Sequence, residues 1–125
     1  MQRVLIDACG WVACIDAHIN IEHEINALIG PCEWILLAPV GLELQRLQEQ
    51  RPRTKPLLLS MLQSKSTFVD VPRDIHTDNI ILEYAAQHRC STLTVDTALK
   101  HRLFEANLPV IEVRQGTHLH LIEPL

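Results

Sequence analysis

The sequence predicts an α/β domain: a parallel sheet of about five strands with helices on both faces. Two observations carry this reading. Short apolar runs rich in β-branched residues recur five times, and they run continuously, as strands covered on both faces do. Between them lie stretches with apolar residues at helical spacing, joined by short connections, the signature of βαβ units. At 125 residues the chain is most simply a single domain, 1–125, and 47% hydrophobic residues suffice for a core.

Val4-Leu5-Ile6 is the first strand, with Asp7 where it ends and Gly10 just beyond. Val12, Ile15, Ala17 and Ile19 give helical spacing over 11–20, and 21–29 continues it until Gly30-Pro31 stops the helix. Trp34-Ile35-Leu36-Leu37-Ala38 is a second buried strand. Pro39 stands where helices often begin, and 40–50 follows as that helix. Residues 51–56, basic and punctuated by prolines, form a loop, and 57–62 a short buried helix. The third strand is Thr67-Phe68-Val69-Asp70-Val71, closed by Pro72. A helix over 77–88 carries the stripe Ile80, Ile81, Tyr84 and Ala85. Thr92-Leu93-Thr94-Val95, a helix over 98–106 and Val110-Ile111-Glu112-Val113 complete the alternation, with no internal repeat.

Composition removes several function classes. A formal charge of −4 gives no overall basic field for nucleic acid, leaving only local basic strips. No apolar stretch approaches the roughly 20 residues of a membrane span, so no membrane partner is expected. The chain starts directly into strand-like sequence without a secretory layout, which predicts a soluble, cytoplasmic protein. Neither G-x-G-x-x-G nor G-x-x-x-x-G-K-[ST] follows any strand, so a glycine-rich phosphate loop has no support. The four cysteines form no C-x-x-C pair and read as buried small hydrophobes. His118 and His120 alternate as on one face of a strand; without a Cys or acid at ligand spacing they read as surface histidines.

Four carboxylates stand out, though each has a local explanation. Asp7 at the end of strand one suits a turn or a helix N-cap. Glu43 shares a helix face with Val40, Leu44 and Leu47, where a carboxylate is costly unless paired; a rim position bonded to Arg46 or Arg3 is the bland alternative. Asp78 lies in a first helical turn, favoured by the macrodipole. Yet Ile81, Leu82 and Ala85 follow at three, four and seven residues, which turns Asp78 toward the sheet. Asp96 ends the fourth strand and suits an N-cap. Together the four acids can converge on one sheet edge, the edge at which open α/β sheets bind ligands.

With those residues in view, the chain resembles the PIN-domain ribonucleases over nearly its whole length. The matching pieces are Val4-Leu5-Ile6-Asp7, Ala38-Pro39-Val40-Gly41-Leu42-Glu43-Leu44, Thr77 to Ala85, Leu93-Thr94-Val95-Asp96-Thr97-Ala98-Leu99, and Pro109-Val110-Ile111 as the last strand. The resemblance implies a three-layer α/β/α sandwich in which Asp7, Glu43, Asp78 and Asp96 bind Mg²⁺ or Mn²⁺ and hydrolyse RNA to 5′-phosphate and 3′-hydroxyl ends. Thr94 matches the family's supporting threonine, two residues before the fourth acid. The resemblance implies either a toxin paired with an antitoxin protein or a housekeeping RNA-processing enzyme, and a homodimer. One departure stands out: Ala8 and Cys9 replace the threonine or serine, and then the asparagine or similar polar residue, that usually follow the first acid. That departure supports an alternative, a PIN-like RNA-binding or protein-interaction module without catalysis. A receiver-like or phosphatase-like domain using Asp7 as nucleophile fits less well, because Cys9 stands where a phosphatase wants a second Asp.

Carboxylate oxygens suit hard cations, and a divalent ion relieves the repulsion among packed acids. The expected set has Asp7, Asp78 and Asp96 nearest the ion, with Glu43 direct or through water. RNA phosphates then need cations nearby. Arg46, Arg51, Arg53 and Lys55 lie on and after the Glu43 helix, and Lys100, His101 and Arg102 on the helix after Asp96. The 51–55 loop, with three positive charges and no acid between them, is the favoured strip.

Overall fold

Val4, Leu5 and Ile6 are almost wholly excluded from solvent, and the strand they form is the axis of the molecule. The computed structural model describes residues 1–72 and 76–124. Within them the elements run β1 (Gln2–Ile6), α1 (Ala8–Asp16), α2 (Ile21–Ile29), β2 (Cys32–Leu37), α3 (Ala38–Gln50), α4 (Leu59–Lys65), β3 (Ser66–Val69), α5 (Thr77–His88), β4 (Ser91–Leu93), α6 (Thr97–Glu105), β5 (Val110–Arg114) and β6 (His118–Ile122). The strand order is β3-β2-β1-β4-β5-β6. The first five strands are mutually parallel, as predicted, with Val4 opposite Trp34 on one side and Ser91 on the other. Helix α1 packs against α3, and α5 against α6, on the sheet, giving a three-layer α/β/α fold. The chain leaves β1 toward β2 in one direction and β4 toward β5 in the other. The gap between the carboxyl ends of β1 and β4 is therefore the topological switch point.

The structure adds a sixth strand to the five predicted. Residues 115–117 reverse the chain, with Gln115 and Gly116 at φ of 56° and 63°, and β6 returns antiparallel to β5. The His118/His120 alternation is the outward face of that strand, while Leu119 points inward and is buried. The continuous helix over 11–29 is instead two helices. His18 takes a left-handed conformation (φ 56°), and Asn20 caps α2 by accepting from the backbone N–H of His23 at 3.2 Å. The short helix begins two residues later than its apolar pattern, because Leu58 is also left-handed (φ 56°). Residue 57 is pinned by tertiary bonds instead: its carbonyl accepts from Trp11 Nε1 at 2.8 Å, and its N–H donates to Gln48 Oε1 at 2.7 Å. Trp11, fully buried, also meets Trp34 edge-on with ring centroids 6.1 Å apart.

Gly10 sets how closely α1 can approach the sheet. A Cβ there would lie 2.5 Å from the Leu93 carbonyl oxygen, so helix and strand backbones are in direct contact. Gly10→Ala must lift the first turn of α1 off β4; the expected cost is about 1–3 kcal/mol, typical of overpacking, read as a lower urea midpoint at unchanged slope.

Candidate active site

Asp7 follows β1 at the switch point and is 6% exposed. Its backbone N–H donates to Leu93 O at 3.1 Å, which ties the end of β1 to β4. As N-cap of α1, its Oδ1 accepts from the Ala8 N–H at 2.9 Å. Its Oδ2 accepts from the Thr94 hydroxyl at 2.7 Å and from the Cys9 thiol at 3.1 Å. Thr94 in turn accepts from the Asp96 backbone N–H at 3.1 Å. Asp96 caps α6, its Oδ1 taking the Leu99 N–H at 3.0 Å. Asp7, Thr94 and Asp96 thus form one hydrogen-bonded chain across the β1–β4 gap, with Thr94 itself fully buried.

Glu43 and Asp78 join them electrostatically. Both side chains are half-buried, and neither carboxylate makes a hydrogen bond among the described residues. Burial pushes Glu43 above the ordinary carboxylate value, the Asp7 charge adds to this, Arg46 opposes it, and Asp78 adds again. Burial likewise raises Asp78, reinforced by Asp96 and then Asp7, and opposed by His76 and Arg102. Glu43 thus feels Asp7 and Asp78, and Asp78 feels Asp7 and Asp96, which ties the four acids pairwise into one set. The bonded partner suggested for Glu43 is absent: Arg3 pairs with Glu33 at 3.3 Å, and Arg46 acts on Glu43 only through its charge. Among the described residues no three or more His, Cys, Asp or Glu side chains are close enough to hold a metal ion as they stand. The convergence is one of field, with two acids fixed by caps and two free.

Cys9, which the sequence marks as a departure weakening the site, instead donates its thiol to Asp7, a contact that sequence reasoning did not foresee. Burial and the Asp7 charge push its thiol up to about 11, so at neutral pH it is protonated and donates. Its Sγ also lies 3.4 Å from Thr94 Oγ1. The available signal was its place two residues after Asp7, inside the first turn of α1. Cys14 and Cys90 are buried small hydrophobes as expected, whereas Cys9 and Cys32 are only half-buried.

The basic residues divide by helix direction. Helices that follow parallel strands start at the carboxyl edge and run away from it, so their last residues lie at the far end. Arg51, past the end of α3, is about 12 Å of helical rise beyond Glu43. Its guanidinium is bound to Asp16 at the end of α1 at 2.6 Å and to the Lys55 carbonyl at 2.9 Å. Arg53 and Lys55 are exposed in the same far loop. A groove of about 900 Å³ opens there, lined by Ile15, His18, Arg51, Lys55 and Leu58 among others, and touches none of the four acids. Lys100 pairs with Glu112 at 3.2 Å. Arg46 and Arg102 remain beside the acids, Arg102 also bonding Asn79 Oδ1 at 2.7 Å and so bridging α6 to α5.

A family model described as a PIN like domain matches residues 4–116. The chain belongs to the PIN-like domain family. Ribonuclease VapC4 of Methanocaldococcus jannaschii is 30% identical over 128 residues, covering 97% of this chain and 97% of that protein. The solved structure titled as the PIN domain endonuclease Utp24 superposes with a TM-score of 0.75 at 18% identity, covering 98% of this chain and 94% of that one. The second likeness concerns the fold, and it agrees with the three-layer PIN architecture built above. No helix among the described residues is long and apolar enough to cross a membrane.

The raised acids give a pH signature. A carboxyl group that binds its proton more tightly when folded stabilises the native state at low pH, and this stability is lost as pH rises through the raised value. Asp78→Asn is therefore expected to raise the melting temperature of the metal-free protein at pH 7 relative to wild type. The gain should shrink as pH falls toward 3.8, the ordinary value for Asp. Paired thermal melts across that range measure the difference.

Proposed function

We propose that this chain is a metal-dependent endoribonuclease whose reaction is carried by Asp7, Glu43, Asp78 and Asp96. The observation that carries the reading is the electrostatic coupling of Glu43 to Asp7 and Asp78, and of Asp78 to Asp7 and Asp96, at the switch-point edge of a PIN-family domain. Membership alone, or acids alone, would support much less. The kinship to a protein named a ribonuclease at 30% identity over almost the full length agrees with RNA as substrate.

The donor set fits a hard divalent ion such as Mg²⁺ or Mn²⁺: every candidate ligand is a carboxylate oxygen, and Glu43 and Asp78 carry the repulsion that a cation relieves. Such an ion, when bound, activates water and offsets charge on the scissile phosphate. The protein's own contribution divides in two. Asp7 and Asp96, fixed by helix caps and linked through Thr94, supply a rigid half whose oxygens need no reordering. Glu43 and Asp78, which make no hydrogen bond among the described residues, would supply the adjustable half of the set that holds the ion. Arg46 and Arg102, beside those two acids, bind the phosphates flanking the cut. Arg51, Arg53 and Lys55 contribute to the field along the RNA farther from the chemistry, with Arg51 already in an ion pair; Lys100, one turn into α6 from Asp96, is engaged by Glu112.

A single-stranded RNA incubated with the purified protein should be cut in Mg²⁺ or Mn²⁺ and left intact in chelator. Asp7→Asn and Asp96→Asn should each lower the rate by at least about 10²-fold, the scale of losing a group that stabilises the transition state. Equal cleavage by both variants and wild type would mean a contaminant and end the proposal. Replacing Arg46 and Arg102 with Gln should flatten the log–log salt dependence of RNA binding by up to about 1.4, at about 0.7 per lost phosphate contact on single strands. Neutralising Arg53 and Lys55 should change the slope less.

A further inference from the structure

The Asp7 carboxylate has two oxygens in different surroundings. Oδ1 accepts the Ala8 N–H of the helix cap and keeps a lone pair free. Oδ2 is the oxygen turned toward Thr94, and two side-chain donors reach it: the Thr94 hydroxyl at 2.7 Å and the Cys9 thiol at 3.1 Å. The two donors are also within 3.4 Å of each other, so they bracket Oδ2 from adjacent elements, one at the end of β4 and one in the first turn of α1. Without the thiol, Oδ2 would be held by Thr94 alone, whose hydroxyl also rotates and accepts from Asp96. The second donor on Oδ2, with the Oδ1 cap, narrows the turn of the carboxylate about its Cβ–Cγ bond.

We propose that Cys9 is a positioning residue: its thiol, with the Thr94 hydroxyl, fixes the plane of the Asp7 carboxylate at the acid edge. The thiol thereby does the work of a polar side chain at a place where sequence alone suggested a weakened site. A thiol is a weaker donor than a hydroxyl but sits on a longer bond to Cβ, and it reaches Oδ2 without disturbing the helical turn that begins at Ala8. Serine at this position keeps a donor, and alanine removes it. This inference rests on the nuclease reading for its consequence in metal binding, but the orientation of Asp7 is independent of it.

The experiment compares wild type, Cys9→Ser and Cys9→Ala in two ways. Crystal structures of the metal-free proteins report the Asp7 side-chain torsions. Calorimetric titration with Mn²⁺, alongside thermal melts, reports affinity and fold stability. The expected result is that Cys9→Ala lets the Asp7 carboxylate turn and weakens Mn²⁺ binding by about 10-fold, the low end for loss of a residue that orients a metal ligand. Cys9→Ser should restore both at a similar melting temperature. An unmoved Asp7 in Cys9→Ala, with wild-type Mn²⁺ affinity, would overturn the proposal and leave Thr94 as sufficient. Wild-type protein that binds no Mn²⁺ and cuts no RNA would instead sink the nuclease reading, and the crystal structures would still decide what orients Asp7.

Discussion

The structure depends on how one carboxylate is held between two strands. Asp7 is nearly buried, and a buried carboxylate is tolerated only where its charge and both oxygens find partners. Here the backbone N–H of Ala8, the Thr94 hydroxyl and the Cys9 thiol supply them, while the backbone N–H of Asp7 locks β1 to Leu93. That arrangement demands close approach of α1 to β4, and only a residue without a side chain at position 10 permits it. Gly10, Asp7 and Thr94 are therefore one constraint expressed at three positions. The buried strands on either side hold the gap at fixed width, so the core serves the site directly.

The same edge solves the problem of keeping like charges near one another. Asp7 and Asp96 are N-caps, and Asp78 lies in the first turn of α5, so three of the four acids sit at helix N-termini. There the positive ends of the helix dipoles and the unpaired backbone N–H groups offset negative charge. Glu43, farther into α3, lacks that support, and burial together with Asp7 raises its proton affinity against the opposing Arg46. The fold thus tolerates an acidic edge by placing most of it where helices begin. What repulsion remains falls on the two carboxylates with no hydrogen bond among the described residues, and these are the ones free to adjust.

This double use explains what could and could not be read from sequence. The strand–helix alternation was legible because parallel strands covered on both faces leave unbroken apolar runs, and Val4 to Ile6 or Trp34 to Leu37 have no competing reading. Asp7 and Asp96 were visible yet ambiguous, since a cap and a metal ligand call for the same residue at the same place; the structure shows both as caps, and Thr94, just past β4, links them. Cys9 read as a loss of polarity because its donor role carries no signal until α1 is laid on the sheet and the thiol meets Asp7. The break at His18 and the late start of α4 at Leu58 were hidden for another reason. Both are left-handed residues other than glycine, which local propensity argues against: His18 sits in a turn closed by its own helix, Ile19 N–H donating to Cys14 O, and Leu58 follows a residue pinned by Trp11 and Gln48. The strand β6 was foreshadowed by the His118–His120 alternation, but its turn uses Gln115-Gly116 rather than the Asn-Gly or Asp-Gly pairs that announce a hairpin.

Helix direction also decides which cations matter, something composition could not reveal. The densest run of positive charge, Arg51 to Lys55, looked the best track for RNA because it is uninterrupted by acid. In the folded chain it follows the end of α3, and Arg51 there clasps Asp16 at the end of α1, closing the molecule at the edge opposite the acids. Arg46 and Arg102, isolated in sequence and unremarkable in composition, lie one turn from Glu43 and beside Asp78. Since electrostatic influence in water decays over about 10 Å at 0.1 M salt, the proposed nuclease function assigns a near-edge cation to the reacting phosphate and a far-edge one to the rest of the strand. On that reading, position along α3, less than number of charges, separates an arginine at the acids from one remote from them.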